Sequence, residues 1–243
     1  MDVSAMSSND DGVTLPTRVK EAARRQLVQV GAAGLTLDAV AHDGGLSVAE
    51  VTGAFPDRDA LLTALVIDAY DSSAAEMERA DEAAKEAGEG AGARLLAATR
   101  ALRAWSFANP GDFTLIYGSP VPGYHAPQDT VGPASRTPAV LAAIVLSALE
   151  AGELTPPRRS LPGPPLLLPA AEALFGGAPP APYSDLLERG IALWSSLVGL
   201  LVFQVFSRTH DSVSDEVGYF DRAIAVAAEG IGLEVPLAAP LGE

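Results

Sequence analysis

Between residues 14 and 70 the apolar positions fall three and four apart, the period of helices that each hide one face. In PTRVKEAARRQLVQVGAAG (16–34), Val19, Ala23, Leu27 and Val30 share a face, while Arg18, Arg24 and Arg25 lie off it. Thr14 or Thr17 can cap this helix, and Gly31 or Gly34 ends it. Thr36 is placed to cap a short second helix that buries Leu37, Val40 and Ala41. Gly44-Gly45 then turns the chain, because glycine accepts the positive φ of a tight turn. Leu46, Val51 and Phe55 are the inward residues of a third helix, which Pro56-Asp57 stops. Asp57 can cap a fourth, with Asp59 in its first turn, where the helix dipole favours a carboxylate. The fourth runs from about 58 to 85, with Leu61, Leu62, Leu65, Val66 and Tyr70 on its apolar side.

Helical spacing continues after a glycine-rich break at 86–92. It predicts helices near 93–108 and 110–117, a Pro/Gly loop over 118–135, and a helix near 138–152. LTPPRRSLPGPPLLLP (154–169) reads as a linker, with a short helix near 170–175 after it. Two long helices follow, near 184–208 and 214–230. No two-residue alternation of useful length and no internal repeat occurs, so the chain is expected to be all-α. Residues 13–60 form a three-helix helix-turn-helix module, 61–232 a larger helical domain, and 1–12 and 233–243 tails.

Residues 190–207, GIALWSSLVGLLVFQVFS, carry no charge and approach the length of a membrane span. Ser195, Ser196 and Gln204 argue against lipid, and no membrane partner is expected. A helix buried both in its own domain and between two subunits is also apolar all round.

Composition narrows the functional classes. With 243 residues and 48% hydrophobic content, the chain can bury a sizeable core. The absence of cysteine excludes disulfides and thiolate metal sites and agrees with a reducing cytoplasm. Residues 1–12 are polar and acidic, unlike a signal peptide, so a cytoplasmic location is expected. There is no Gly-x-Ser-x-Gly elbow, phosphate-cradling loop or His-Glu-x-x-His, so no enzyme is expected. His42, His125 and His210 lie far apart, and neither metal nor cofactor is expected.

The formal net charge of −15 repels nucleic acid at long range. Locally the balance is milder. Residues 13–60 hold five basic side chains, Arg18, Lys20, Arg24, Arg25 and Arg58, against six acidic ones.

The third helix opens on Ser47-Val48-Ala49-Glu50, the Ser-x-x-Glu form of a capping box, which would engage Glu50 at the helix end. Its other outward residues are small. Val48, Ala49 and Thr52 can meet thymine methyls, and Ser47 or Thr52 a phosphate or base edge. Gly53, which weakens the helix by about 1 kcal/mol relative to alanine, permits close approach to DNA or to helix one. Two such helices in a dimer, roughly 34–36 Å apart, would read successive major grooves.

The module resembles the tetracycline-repressor (TetR) family of transcriptional regulators. The matching residues are Arg18, Gly34, Thr36, Val40-Ala41, Gly45-Leu46-Ser47 and Phe55-Pro56-Asp57-Arg58. Thr52 stands where that family usually has a phosphate-binding tyrosine, Ala54 where it has a tyrosine or histidine, and Val48 where a polar residue is common. Arg58 keeps the charge of the family's usual lysine. Further on, ALRAWSFANPGDFTLIYGSPVPGY and ALWSSLVGL resemble the C-terminal domain of a TetR branch named for a Trp-His-Gly motif. Trp194 and Gly199 match that motif, and Val198 stands in place of the histidine.

The resemblance implies a homodimeric, ligand-responsive repressor. Its partners would be double-stranded DNA bearing a palindromic operator and an unknown small-molecule effector. Candidate DNA contacts are Arg18, Thr36, Ser47, Val48, Ala49, Thr52 and Arg58, although Thr36 and Ser47 also serve simply as N-caps. Candidate ligand contacts are Trp105, Phe113, Tyr117, Tyr124 and Trp194, which at helical spacing serve equally as core. The alternatives are a binding protein of the same fold whose DNA reader has weakened, and a small-molecule enzyme.

Overall fold

A computed structural model of the chain describes residues 14–159, 166–169, 172, 176–209 and 212–237. The expected short helix near 170–175 (position 172 apart), His210 and the tail at 1–12 lie outside the described residues. The elements are α1 (Leu15–Gly34), α2 (Leu37–Gly44), α3 (Val48–Ala54), α4 (Arg58–Glu86), α5 (Ala91–Ala108), α6 (Pro110–Tyr117), a 3-10 turn (Gln128–Thr130) and α7 (Val131–Ala151). Two further helices, α8 (Leu186–Val205) and α9 (Glu216–Glu229), complete them. No strand occurs among the described residues, so the fold is all-α.

The caps lie where the local sequence provides oxygen acceptors. Thr14 accepts from the amide of Thr17 at 3.4 Å, Thr36 from Ala39 at 3.2 Å and Asp57 from Ala60 at 2.8 Å. Each satisfies an amide that has no partner inside its helix. Gly45 ends α2 in the left-handed region, φ 59°. Gly31 interrupts α1 at φ 68°, which leaves 32–34 as a separate last turn.

Two cores result. Val19, Ala23, Leu27, Val40, Val51 and Leu61 belong to the first, which closes α1–α3 onto the start of α4. The second lies among α4, α5, α7, α8 and α9, around Met77, Leu95, Leu102, Ile144, Leu197 and Phe220. α4 runs through both and links them. α6 crosses beneath α1. A Cβ on Gly111 would stand 3.3 Å from Leu27 Cβ, so glycine there permits the close approach.

Two boundaries differ from the sequence pattern. α7 starts at Val131, not near 138, because Gly132 and Pro133 fall in its first turn, where a proline needs no amide partner. Pro138 therefore sits inside the helix. Leu233 and Val235, assigned by pattern to the terminal tail, are buried in the second core. They cross the start of α5, where a Cβ at Gly92 would collide with the Glu234 carbonyl.

Two helical segments are long and apolar enough to cross a membrane, Gln128–Ala151 and Leu186–Val205. Gln204 in α8 is buried with both ends satisfied. Its Oε1 accepts from Arg103 Nε at 2.8 Å, and its Nε2 donates to the Glu216 carbonyl at 2.9 Å. This ties α8 to α5 and α9 through a polar core contact.

Candidate nucleic-acid interface and adjoining clefts

α3 is held by one buried side chain, Val51, with Ala54 half-buried against the same core, and turns the rest outward. Ser47, Val48, Ala49, Glu50, Thr52 and Gly53 are all exposed. A Cβ at Gly53 would meet nothing within 4 Å, so packing against α1 does not require the glycine. The outer face of α3 is small, uncharged except for Glu50, and free of steric obstruction.

The capping box is formed. Ser47 N donates to Glu50 Oε2 at 2.8 Å, Ser47 Oγ to the same oxygen at 2.7 Å, and Glu50 N donates to Ser47 Oγ at 3.2 Å. The backbone and hydroxyl of Ser47, aided by Arg18, hold the Glu50 carboxyl below its ordinary range. Its charge is thereby folded back on the helix end. Thr52 Oγ1 donates to the carbonyls of Val48 and Ala49 at 2.9 and 3.3 Å. To reach a phosphate, that hydroxyl must rotate away from the backbone.

The cations of the module are distributed unequally. Arg25 pairs with Asp43 at 2.7 Å, and Lys20 and Arg24 both reach Asp68 of α4. Arg58 does not face outward as its sequence position suggests. Its Nη2 donates to the Ala32 carbonyl at 2.8 Å and its Nε to the Leu35 carbonyl at 3.0 Å. The Gly31 kink brings these carbonyls within reach. Arg58 therefore joins the α1–α2 link to the first turn of α4. The guanidinium of Arg18 makes no hydrogen bond or ion pair with any described residue, and it lies close enough to Glu50 to influence its ionisation. Thr36 is occupied in capping α2 but remains exposed.

The aromatic candidates divide between core and cleft. Trp105 is 5% exposed, and its Nε1 donates to Ser72 Oγ at 3.1 Å; Phe113 is fully buried. Tyr117 lies at the centre of a ring cluster. Its centroid is 5.3 Å from Phe113, 6.1 Å from Tyr70 and 6.1 Å from Trp194. Burial pushes its phenol well above the ordinary tyrosine range. Tyr124 Oη lies 3.0 Å from Thr63 Oγ1, and the ring also packs against the first core.

Two clefts flank the end of α6. One, of about 530 Å³, opens between α4, α6 and α7 and includes Tyr70, Ile116, Tyr124 and Ser135. The other, of about 490 Å³, opens between the ends of α1, α6 and α8 and includes Ala33, Tyr117, Phe206 and Arg208. Residues 118–121 form a wall common to both. A smaller apolar cavity of about 90 Å³ between α7 and α8 has Trp194 on its wall. Both larger clefts fall within the ~300–1,000 Å³ typical of small-molecule sites. No cluster of metal-ligating side chains occurs among the described residues.

Sequence pattern alone did not reveal how α1 is tied to α4 and α6. Arg24 Nε lies 3.0 Å from Asp112 Oδ2 of α6, and Arg24 Nη2 lies 3.0 Å from Asp68 Oδ2 of α4. These partners stand 88 and 44 positions away, and no local spacing points to the contact.

Comparison with known proteins agrees with this architecture. The family description "Tetracyclin repressor-like, C-terminal domain" matches residues 95–227. The chain is 33% identical over 226 residues to the HTH-type transcriptional regulator Rv1816 of Mycobacterium tuberculosis, covering 88% of this chain and 93% of that protein. A crystallised regulatory protein, SCO4313, superposes with a TM-score of 0.66 at 28% identity, covering 88% of this chain and 95% of that one. A Rhodococcus sp. RHA1 protein of unknown function superposes at 0.67 and 22% identity, covering 93% and 99%, and so shares the fold.

Proposed function

Because the chain belongs to the TetR family of transcriptional regulators, we propose that it is a homodimeric, cytoplasmic repressor that reads a palindromic operator with α3 and responds to a small molecule bound in its C-terminal domain. The observation that carries this reading is the unobstructed outer face of α3, fixed by its capping box and by Val51. Val48 and Ala49 meet base edges, chiefly thymine methyls. Ser47, Thr52, Thr36 and Arg18 meet the backbone. Arg58 acts indirectly, by holding α1, α2 and α4 in register. With so little positive charge per half-site, useful affinity comes from two modules binding together.

The dimer forms through α8 and α9. Only 22% of the apolar window of α8 is buried in the protomer. Ile191 and Phe203 on α8 are 48% and 53% exposed, and Val226 on α9 is 69% exposed. Packing these helices against their counterparts in a second copy makes a four-helix bundle and covers that apolar surface. The effector occupies the cleft between α4, α6 and α7, with the Tyr117 cluster behind it. Its entry shifts α4 and α6, and through them the separation of the two α3 helices. No chemistry is performed on the effector.

Selection of binding sites from random DNA by the purified full-length protein tests this reading. Enrichment of a palindrome with half-sites about one or two helical turns apart supports it. A protein that dimerises and binds small molecules but enriches no sequence even at low salt is instead a TetR-fold binding protein without a working reader. The engaged hydroxyl of Thr52 and carboxylate of Glu50 are the features that favour that second reading.

A further inference from the structure

We propose that the cleft between the ends of α1, α6 and α8 is a second ligand site, separate from the effector cleft on the other side of α6, and that it takes a small monocarboxylate with an apolar or aromatic body. The cleft has room for such a molecule, about 490 Å³. Tyr117 and Phe206 provide apolar ring surface, while Ala32, Ala33 and Val202 keep the walls low.

Among the described residues on its lining, Arg208 is the only charged one. In a chain of net charge −15, a cleft whose described lining holds one arginine and no carboxylate is a local reversal of sign. The guanidinium of Arg208 makes no ion pair with any described residue. It lies over the Phe206 ring at 5.7 Å, which orients it without satisfying its donors. Its planar fork matches a carboxylate in two parallel hydrogen bonds. The exposed Ser119 hydroxyl at the rim, which makes no hydrogen bond to a described residue, supplies a further donor.

The position of the site gives it a route to α3. Its α1 wall is the turn after the Gly31 kink, and the carbonyl of Ala32 in that wall is the acceptor for Arg58. An occupant pressing on Ala32 and Ala33 acts directly on the joint between the α1–α2 link and the start of α4. This consequence rests on the DNA-reading function; the binding itself does not.

The test is calorimetric titration of the full-length protein with 3-phenylpropanoate, octanoate and the neutral 3-phenylpropanamide. The expected result is one carboxylate per chain, with the acid preferred to its amide by about tenfold, or ~1.4 kcal/mol. Arg208→Gln, a surface change that leaves the core intact, is expected to erase that preference. Ala33→Phe fills the cleft and is expected to abolish binding of both, whereas Ser135→Phe in the opposite cleft leaves binding unchanged. Absence of heat from both acids at about 5 mM, an affinity of negligible use, would overturn the proposal. So would an acid preference that survives Arg208→Gln, or binding blocked by Ser135→Phe and not by Ala33→Phe.

Discussion

Arg24 on α1 and Asp112 in the first turn of α6 face each other at 3.0 Å, 88 positions apart in the chain. Asp112 is buried, and its second oxygen, Oδ1, has no hydrogen-bond partner among the described residues. Desolvation raises its carboxyl above the ordinary range, and the pull of Arg24 in the other direction does not reverse this. The contact therefore joins α1 to α6 through a carboxylate whose charged form burial disfavours.

The first prediction follows from that sign. Between the ordinary carboxylate range, about pH 4, and the raised value, the folded protein holds a proton on Asp112 that the unfolded chain has lost. This contribution to stability is complete below the ordinary carboxylate range and disappears as pH rises through the raised value. Asp112→Asn is expected to lie within about 1 kcal/mol of the wild type at neutral pH, since removing a buried charge offsets the lost pair. It should also flatten the downward slope just above the carboxylate range. Urea denaturation at a series of pH values measures both.

Ser47→Ala removes the hydroxyl that accepts from Glu50 N and helps hold the Glu50 carboxylate. A loss of about 1 kcal/mol is expected, as for other N-caps, concentrated in the seven residues of α3. Hydrogen exchange should show faster amides over 48–54 with little change in α5 or α8. The Glu50 carboxyl should titrate closer to its ordinary range once that hydroxyl is gone. Unchanged exchange in α3 would mean that the capping box does not stabilise it.

Much of this geometry was legible because its causes are local. Thr36, Asp57 and the Ser47–Glu50 pair each act within three residues, and their caps form where spacing places them. The start of α7 was not legible, because glycine and proline read as breakers unless the first turn of a helix is known to begin just before them. Arg58 shows a deeper limit. Its acceptors are carbonyls at 32, just past the Gly31 kink, and at 35, the cap of α1, whose placement local spacing does not encode, so its sequence position alone suggested a phosphate contact. The Arg24–Asp112 pair and the division of the aromatics between core and cleft depend on how α6 crosses α1, which no local spacing encodes.

Tyr117 should separate packing from polarity. Tyr117→Ala removes the ring at the centre of the cluster and is expected to destabilise by about 3–5 kcal/mol. Tyr117→Phe loses only the 3.3 Å contact with Thr137 and should cost about 1 kcal/mol or less. Because burial raises the Tyr117 phenol, the unfolded chain loses that proton first, and stability should fall as pH climbs past about 10. Thermal melts of the three proteins, with the alkaline limb recorded for wild type and Tyr117→Phe, check the order and the sign.

The outward faces of α8 and α9 offer a separate test. Phe203→Glu combined with Val226→Glu places carboxylates on surface that is 53% and 69% exposed in the protomer, so the monomer should remain folded. Sedimentation is expected to show a dimer for the wild type and a monomer for the double variant, with operator affinity lost along with the dimer. A dimer that survives both changes would place the interface elsewhere.

The most direct measurement is equilibrium binding of the purified Ala49→Glu variant to the palindrome recovered by selection, beside the wild type. Ala49 is exposed at the centre of the outer face of α3, so the variant should fold and dimerise normally. A carboxylate at that point on both recognition helices is expected to weaken binding on the order of 100-fold, about 1–3 kcal/mol at each half-site. Wild-type affinity in Ala49→Glu would show that α3 does not enter the groove.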